Sequence, residues 1–306
     1  MHRTAYLLLL LTTLFWGGNA IAGKLAVGHI SPFMLTSFRW GIAAAIMAVI
    51  GYRQLRRDWP LARKHLAFLF VLSTAGFTLF NATMYSALQY TSAINVSIEQ
   101  AGMPMFIFLA NFLLFRLGVT WLQVLGFVLT LIGVALTASH GDLARLAELQ
   151  MNFGDALMLL AIVLYGGYTV ALRFKPDLHW QSLMLIMTAS AFASSLPFLG
   201  VEWQRGALIL PDLTGIAAAL YTGIFPSILS QSFYIRGVDI IGANRASLFI
   251  NTVPIFGTLL SVLILGEIFE LHHAIALVLV LGGIWMAEHS GRRAQARAEN
   301  QSPRPT

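Results

Sequence analysis

Residues 5–23 read AYLLLLLTTLFWGGNAIAG, nineteen positions without a single charge. An α-helix needs about 20 mostly apolar residues to cross the hydrocarbon of a bilayer, so this stretch reads as a transmembrane helix. It is not alone. Segments of the same length and character recur at 33–51, 66–86, 92–115, 121–139, 154–172, 180–200, 212–235, 242–265 and 271–289. Ten spans nearly exhaust a chain of 306 residues, of which 58% are hydrophobic and 10% charged, with a mean hydropathy of +0.75. No length is left for a soluble catalytic domain. The expected fold is an all-α integral membrane protein of ten transmembrane helices.

Composition removes other classes. The absence of cysteine excludes disulfides, thiolate metal sites and cysteine nucleophiles. The net charge of +6 could suggest nucleic acid, but the basic residues sit at the ends of apolar spans, so no nucleic-acid partner is expected. Ala20-Ile21-Ala22 resembles a signal-peptide cleavage site. A removable leader would not need a counterpart in the second half of the chain, and this segment has one. Residues 290–306 are polar and read as a disordered cytoplasmic tail.

Loop charges set the orientation. With the N-terminus in the cytoplasm, fifteen Lys and Arg fall inside and three outside (Lys24, Arg145 and Arg205), leaving Arg39 within a span. Both termini are therefore expected in the cytoplasm.

The chain repeats itself at an offset of 149 to 150 residues. Trp16-Gly17-Gly18 falls on Tyr165-Gly166-Gly167, Lys24 on Arg173, Tyr85 on Tyr234, Asn95 on Asn244 and Pro104 on Pro254. The repeats are assigned to 5–139 and 154–289. Five spans in each force the second copy to enter from the opposite side, as in many transporters with inverted repeats.

Polar side chains inside spans face the bundle or a cavity, because lipid offers them no partner. Ser73, Phe77, Asn81 and Tyr85 form one stripe on the third span. Ser227, Gln231 and Tyr234 form another on the eighth, and Asn244, Ser247 and Asn251 one on the ninth. Asn95, Glu99 and Gln100 mark the fourth, Tyr165 and Tyr168 the sixth, and Trp16 and Asn19 the first. These residues are the expected substrate pathway. Helix–helix glue and interface-belt roles compete for the individual members. Two charges lie deep, Arg39 and Glu99, at nearly the same predicted depth. They read either as an ion pair, structural or coupling, or with Glu99 as an ammonium or proton site, or simply as part of the wet cavity wall. Gly17, Gly18, Gly166 and Gly167 allow close approach, and Pro104 and Pro254 each remove a backbone hydrogen bond in mid-span. These six are the expected hinges.

The ten spans, the repeat, Leu14-Phe15-Trp16-Gly17-Gly18-Asn19 and the stretch from Ala246 to Glu267, closing on Leu265-Gly266-Glu267, resemble the drug/metabolite transporter superfamily in its EamA-type branch. Where the family often has Gly-Glu after the fourth span, this chain has Arg116-Leu117. The resemblance implies a multi-pass protein of the bacterial inner membrane, working by alternating access. Within the superfamily the chain looks like the amino acid exporters, the aromatic type included. The implied partners are an amino acid or related small molecule and the membrane lipids. Protons are left open as a coupling ion, and a monomer is expected to suffice.

The residues themselves favour a neutral, partly apolar ligand, since the stripes are aromatic and amide-rich with few charges. Broader drug or metabolite efflux, uptake, and a membrane protein that transports nothing are the alternatives. No His-Glu-x-x-His, Gly-x-Ser-x-Gly or phosphate-binding loop motif is present. No catalytic residue, metal ligand or cofactor is expected.

Overall fold

The computed structural model describes residues 2–116, 120–141, 152–241, 246 and 249–301, with side chains for those between 3 and 287. Among them, eight helices are long and apolar enough to cross a membrane. They are α1 (Arg3–Leu25), α2 (Pro32–Ala62), α3 (Leu66–Ala87), α4 (Ala93–Phe115), α5 (Trp121–Ala138), α6 (Phe153–Phe174), α7 (Trp180–Gln204) and α8 (Leu213–Ile241). Two shorter apolar helices follow, α9 (Val253–Leu265) and α10 (Leu271–Ala287). The protein is an all-α, multi-span membrane protein.

Two expectations need correction. The helix of α2 continues to Ala62, carrying exposed Arg53, Arg56 and Arg57 that had been read as loop. The helix of α10 continues to Gln301, through most of the segment read as disordered. Both extensions are rich in Arg, Leu, Ala, Gln or Glu, all strong helix formers, so a span can run on into water. Residues 242–245 and 247–248 of the ninth span lie outside the described residues; Ala246, Phe249 and Ile250 are helical, and a turn at Asn251-Thr252 separates them from α9.

The helix ends are secured by polar side chains. Ser92 Oγ accepts from Asn95 N–H at 3.0 Å at the start of α4. Thr120 and Gln123 form a capping box on α5. Asp212 accepts from Gly215 N–H at 2.9 Å on α8. Such caps satisfy backbone donors that a helix start otherwise leaves unpaired. Carboxylates from other helices do the same. Asp58 on α2 accepts from Ser182 Oγ (2.6 Å) and His179 N–H (3.2 Å) where α7 begins. Glu202 near the end of α7 accepts from Ser31 Oγ (2.6 Å) and Phe33 N–H (3.3 Å) where α2 begins. Glu267, beyond α9, accepts from Ala93 N–H (2.8 Å) and Ile94 N–H (2.9 Å) at the start of α4.

Four helices are interrupted. α4 breaks at Ala101-Gly102, where Gly102 N–H turns back to Glu99 O at 2.8 Å just before Pro104. α9 begins at the corresponding point, just before Pro254. Each proline lacks the N–H that would continue the ladder. α3 and α8 carry π-helical segments at Thr74–Leu79 and Phe225–Leu229.

The dominant helix pairs are α5 with α10 and α2 with α7. α1 packs on the second half of α8 and on α9, while α6 packs on the second half of α3 and on α4. The first parts of α4 and α9 cross each other, α2 meets the start of α8, and α7 meets the start of α3. Glycines permit the tightest crossings: a methyl group on Gly17 would stand 2.8 Å from Gly257 N, so α1 and α9 touch backbone to backbone. Gly126 of α5 meets the backbone of Gly283 on α10 in the same way.

Candidate functional site

Arg39 sits midway along the apolar part of α2, 6% exposed. Its Nη1 lies 2.7 Å from Asn19 Oδ1, 2.7 Å from Asn81 Oδ1 and 2.6 Å from Tyr85 Oη, so two protons are shared among three oxygens. Its Nε donates to Ser227 Oγ at 2.9 Å. The acceptors are themselves pinned. Tyr85 donates to Asn19 Oδ1 (3.0 Å), Asn81 Nδ2 to Phe77 O (2.7 Å) and Ser227 to Thr222 O (2.8 Å). One guanidinium thus ties α1, α2, α3 and α8 together. Its Nη2 makes no hydrogen bond among the described residues, and no carboxylate among them pairs with it.

The expected Arg39–Glu99 pair does not form. Equal depth places two residues at one level of the bundle but not on facing sides of it. Arg39 bonds to residues of α1, α3 and α8, whereas Glu99 lies on the part of α4 that packs against α1, α5, α6, α9 and α10. Glu99 is fully buried, and neither carboxyl oxygen has a hydrogen-bond partner.

The structure brings Asn19, Asn81 and Tyr85 together at Arg39. A chain of rings continues from it: Trp40 stacks on Phe77 (centroids 4.5 Å apart), Phe77 meets Tyr168 (5.6 Å), and Tyr168 meets Tyr165 (5.3 Å). Trp16 and Tyr234 form a separate contact at 5.7 Å, and Trp16 Nε1 donates to Pro226 O. Gln231 is half-buried on α8, Gln100 half-buried at the break of α4, and Asn251 half-buried in the turn before α9. Asn244 lies outside the described residues. Of the glycines, Gly18 faces Tyr221, Gly166 faces Phe106, and Gly167 borders open space.

Asn95 belongs to a second polar cluster, which sequence reasoning missed. His273 Nδ1 accepts from Glu270 N–H (3.0 Å), leaving its Nε2–H to donate to Asn95 Oδ1 (3.1 Å). Asn95 Nδ2 donates to Thr91 Oγ1 (3.2 Å), and Thr91 donates to Asp155 Oδ1. His140 Nε2 stands 3.3 Å from Asp155 Oδ2, at ion-pair distance but without hydrogen-bond geometry. Asn95 was expected in the substrate pathway, but no sequence spacing links it to Thr91, His140, Asp155 and His273. Glu267, which closes the stretch resembling the family, caps α4.

Residues 3–139 and again 152–287 match the profile of the EamA-like transporter family. The chain belongs to this family. Among its relatives, the uncharacterized transporter YyaM of Bacillus subtilis (strain 168) is 26% identical, over 98% of this chain and 99% of its own. An uncharacterized transporter of Archaeoglobus fulgidus is 28% identical, over 94% and 98%. The uncharacterized inner membrane transporter YicL of Salmonella typhimurium (strain LT2) is 24% identical, over 97% and 98%. A solved crystal structure shares the fold with a TM-score of 0.63 and 22% identity, covering 96% of this chain and all of the other. The EamA-like protein described here is a membrane transporter rather than an enzyme.

Proposed function

We propose that this protein is a secondary transporter that exports neutral or aromatic amino acids and related small metabolites across the bacterial inner membrane. It does so by alternating access between two inverted five-helix repeats, 5–139 and 154–289, with both termini in the cytoplasm. The observation that carries this reading is the exchange of packing partners. Adding five to each helix number turns the pair α1–α8 into α6–α3, α1–α9 into α6–α4, and α2–α8 into α7–α3, while α2–α7, α4–α9 and α5–α10 map onto themselves. The helix interruptions before Pro104 and Pro254, and the π-helical segments in α3 and α8, fall on matching positions. Two such halves exchange roles when the bundle rocks.

The hub around Arg39 supports a substrate with a carboxylate. A lone guanidinium in the membrane interior is costly, and a carboxylate docking on the free Nη2 would neutralise it through a charge-assisted bond. The rings of Phe77, Tyr165 and Tyr168 would then receive an apolar or aromatic side chain. One observation favours the broader-metabolite reading: the hub offers no carboxylate for a substrate ammonium.

Efflux from preloaded proteoliposomes tests both readings. Amino acids should leave faster than their carboxamides. Equal efflux of simple monocarboxylates would favour the broader reading, and no carboxylate-dependent efflux would defeat both. Orientation is checked by labelling single introduced cysteines. Labelling from outside in the 53–64 segment would overturn it.

A further inference from the structure

The guanidinium of Arg39 is held from two sides, and each hold leads back to an indole. From this geometry we infer that Trp16 and Trp40 are positioning residues, which fix where Arg39 Nη2 points and so set the preference for substrates with a carboxylate. The inference rests on the carboxylate reading above and adds the residues that decide it.

Both indoles bond to backbone carbonyls of π-helical segments. Such a segment substitutes bonds to the fifth residue back for bonds to the fourth, so the ladder passes over a carbonyl. In α8, Ser230 N–H bonds to Phe225 O, five back, and passes over Pro226 O. Trp16 Nε1 donates to that carbonyl at 3.1 Å. In α3, Phe80 N–H bonds to Ala75 O, five back, and to Phe77 O, three back. Trp40 Nε1 donates to Phe77 O at 3.3 Å. Phe77 and Pro226 are 149 residues apart, so the two carbonyls occupy matching places in the repeats.

Each pinned carbonyl lies beside a residue that touches Arg39. Ser227 follows Pro226 directly. Pro226 has no N–H, so Thr222 O, four residues back, lacks its ladder donor. Ser227 Oγ–H donates to it at 2.8 Å. A hydroxyl has one proton, so Ser227 meets Arg39 Nε as an acceptor, at 2.9 Å. On α3, Asn81 Nδ2 donates to the same Phe77 O as Trp40, at 2.7 Å, which turns Asn81 Oδ1 to Arg39 Nη1. Trp40 is also the chain neighbour of Arg39, and its ring centre lies 4.8 Å from the guanidinium carbon. A guanidinium is a rigid plane. With Nε held from α8 and Nη1 from α1 and α3, the direction of Nη2 is fixed.

Buried carbonyls need donors whatever a protein does. That need alone does not explain the arrangement, because the two pins are not copies of each other. At the offset of 149, Trp16 corresponds to Tyr165 and Trp40 to Ala189, so neither has an indole counterpart in the second repeat. Arg39 corresponds to Thr188, which donates to Met184 O within its own helix. The guanidinium and both indoles therefore occur once, on α1 and α2, and what the two indoles have in common is Arg39.

Replacing one indole at a time with benzothienylalanine, in which sulfur stands in place of the N–H, removes the donor and keeps the double ring. Efflux of phenylalanine and of phenylalaninamide from preloaded proteoliposomes then reads selectivity. Phenylalanine should leave faster from the wild type. Either replacement should lower the ratio of the two rates about tenfold, the equivalent of one misaimed charge-assisted bond, through a higher KM for phenylalanine. Damage to the fold alone lowers both rates together and leaves the ratio where it was. Trp16→Phe and Trp40→Phe remove the same donors and should lower the ratio at least as far; they decide if a benzothienyl protein does not fold. Trp203→Phe, at an exposed position on α7, should keep the ratio. A wild-type ratio in either replaced protein overturns the role of that indole. A wild type that releases both compounds equally defeats the carboxylate reading and the positioning role with it, whereas a wild-type preference that survives both replacements defeats the positioning role alone.

Discussion

Replacing Glu267 with Ala should destabilise the protein by about 2 kcal/mol, a cap loss at the upper end of the usual range. Its carboxylate accepts from two N–H groups of the first turn of α4, at 2.8 and 2.9 Å, across a sequence distance of more than 170 residues. A single hydrogen bond to a charged group contributes about 1.5 to 3 kcal/mol. Glu267 is half-buried, so water replaces part of what is lost and the two bonds together contribute about 2 kcal/mol rather than their full sum. Glu267→Gln keeps one acceptor oxygen and should lose about half as much, about 1 kcal/mol. Soluble domains of comparable size lose about 2 to 4 °C in melting temperature per kcal/mol, so Ala should lower the transition by about 4 to 8 °C and Gln by about half of that. Thermal unfolding of the purified protein in detergent, followed by size-exclusion of the surviving folded fraction, measures this. A Glu267→Ala protein melting with the wild type, or a Gln variant as damaged as Ala, would refute the capping role.

Gly17→Ala should destabilise by about 1 to 3 kcal/mol through overpacking, because the added methyl meets the Gly257 backbone, whereas Gly167→Ala opens onto free space and should be tolerated; folded yields compare the two. Arg39→Lys keeps the charge but cannot reach the oxygens of three other helices together, so transport should fall at least about tenfold, the equivalent of one lost charge-assisted bond, as measured by initial efflux rates. Asp212 is held below the usual carboxylate range by the Gly215 N–H and then by His29, 2.6 Å away. Its pKa is lower in the folded state, so its stabilisation is present above about pH 4, the unfolded value, and is lost as pH falls through the depressed value. Asp212→Asn keeps the cap to Gly215 and should flatten the acid side of a plot of melting temperature against pH.

The multi-span, all-α character was legible in the sequence because membrane crossing is a length requirement, and most helix ends fall within a few residues of the apolar boundary, those of α2 and α10 running well past it. The grouping of Asn19, Asn81 and Tyr85 was legible for a related reason: polar groups in lipid must turn inward, and two stripes turning inward meet. The identity of their common partner was not. Counting residues from a span end fixes depth along the membrane normal, which is why Arg39 and Glu99 looked like partners. The angle around the bundle depends on which helices are neighbours, and that put Arg39 among amides and left Glu99 without a hydrogen-bond partner. Glu267 was missed for a similar reason. Gly266, with φ of 67°, is a local helix-ending signal that the sequence does carry, but nothing local says that the next side chain reaches α4. His140, Asp155 and His273 come from three separate parts of the chain, so no motif spacing could join them.

The π-helical segment of α3 bears on the phase of its polar stripe. Ser73, Phe77, Asn81 and Tyr85 are spaced by four, and on a regular helix each step of four overshoots a full turn by about 40°. Three steps would drift by about 120°, enough to swing Tyr85 off the face that Ser73 occupies. The wide turn at Thr74–Leu79 accommodates one extra residue and cancels most of that drift. The alignment therefore depends on where the extra residue sits. If the bulge slides one turn along α3, it re-indexes the side chains it passes and leaves the rest in register. Asn81 and Tyr85 could then rotate away from Arg39 while Ser73 stays on Met187. A helix that can shift phase locally needs no broken end and no moving loop to release what its middle holds.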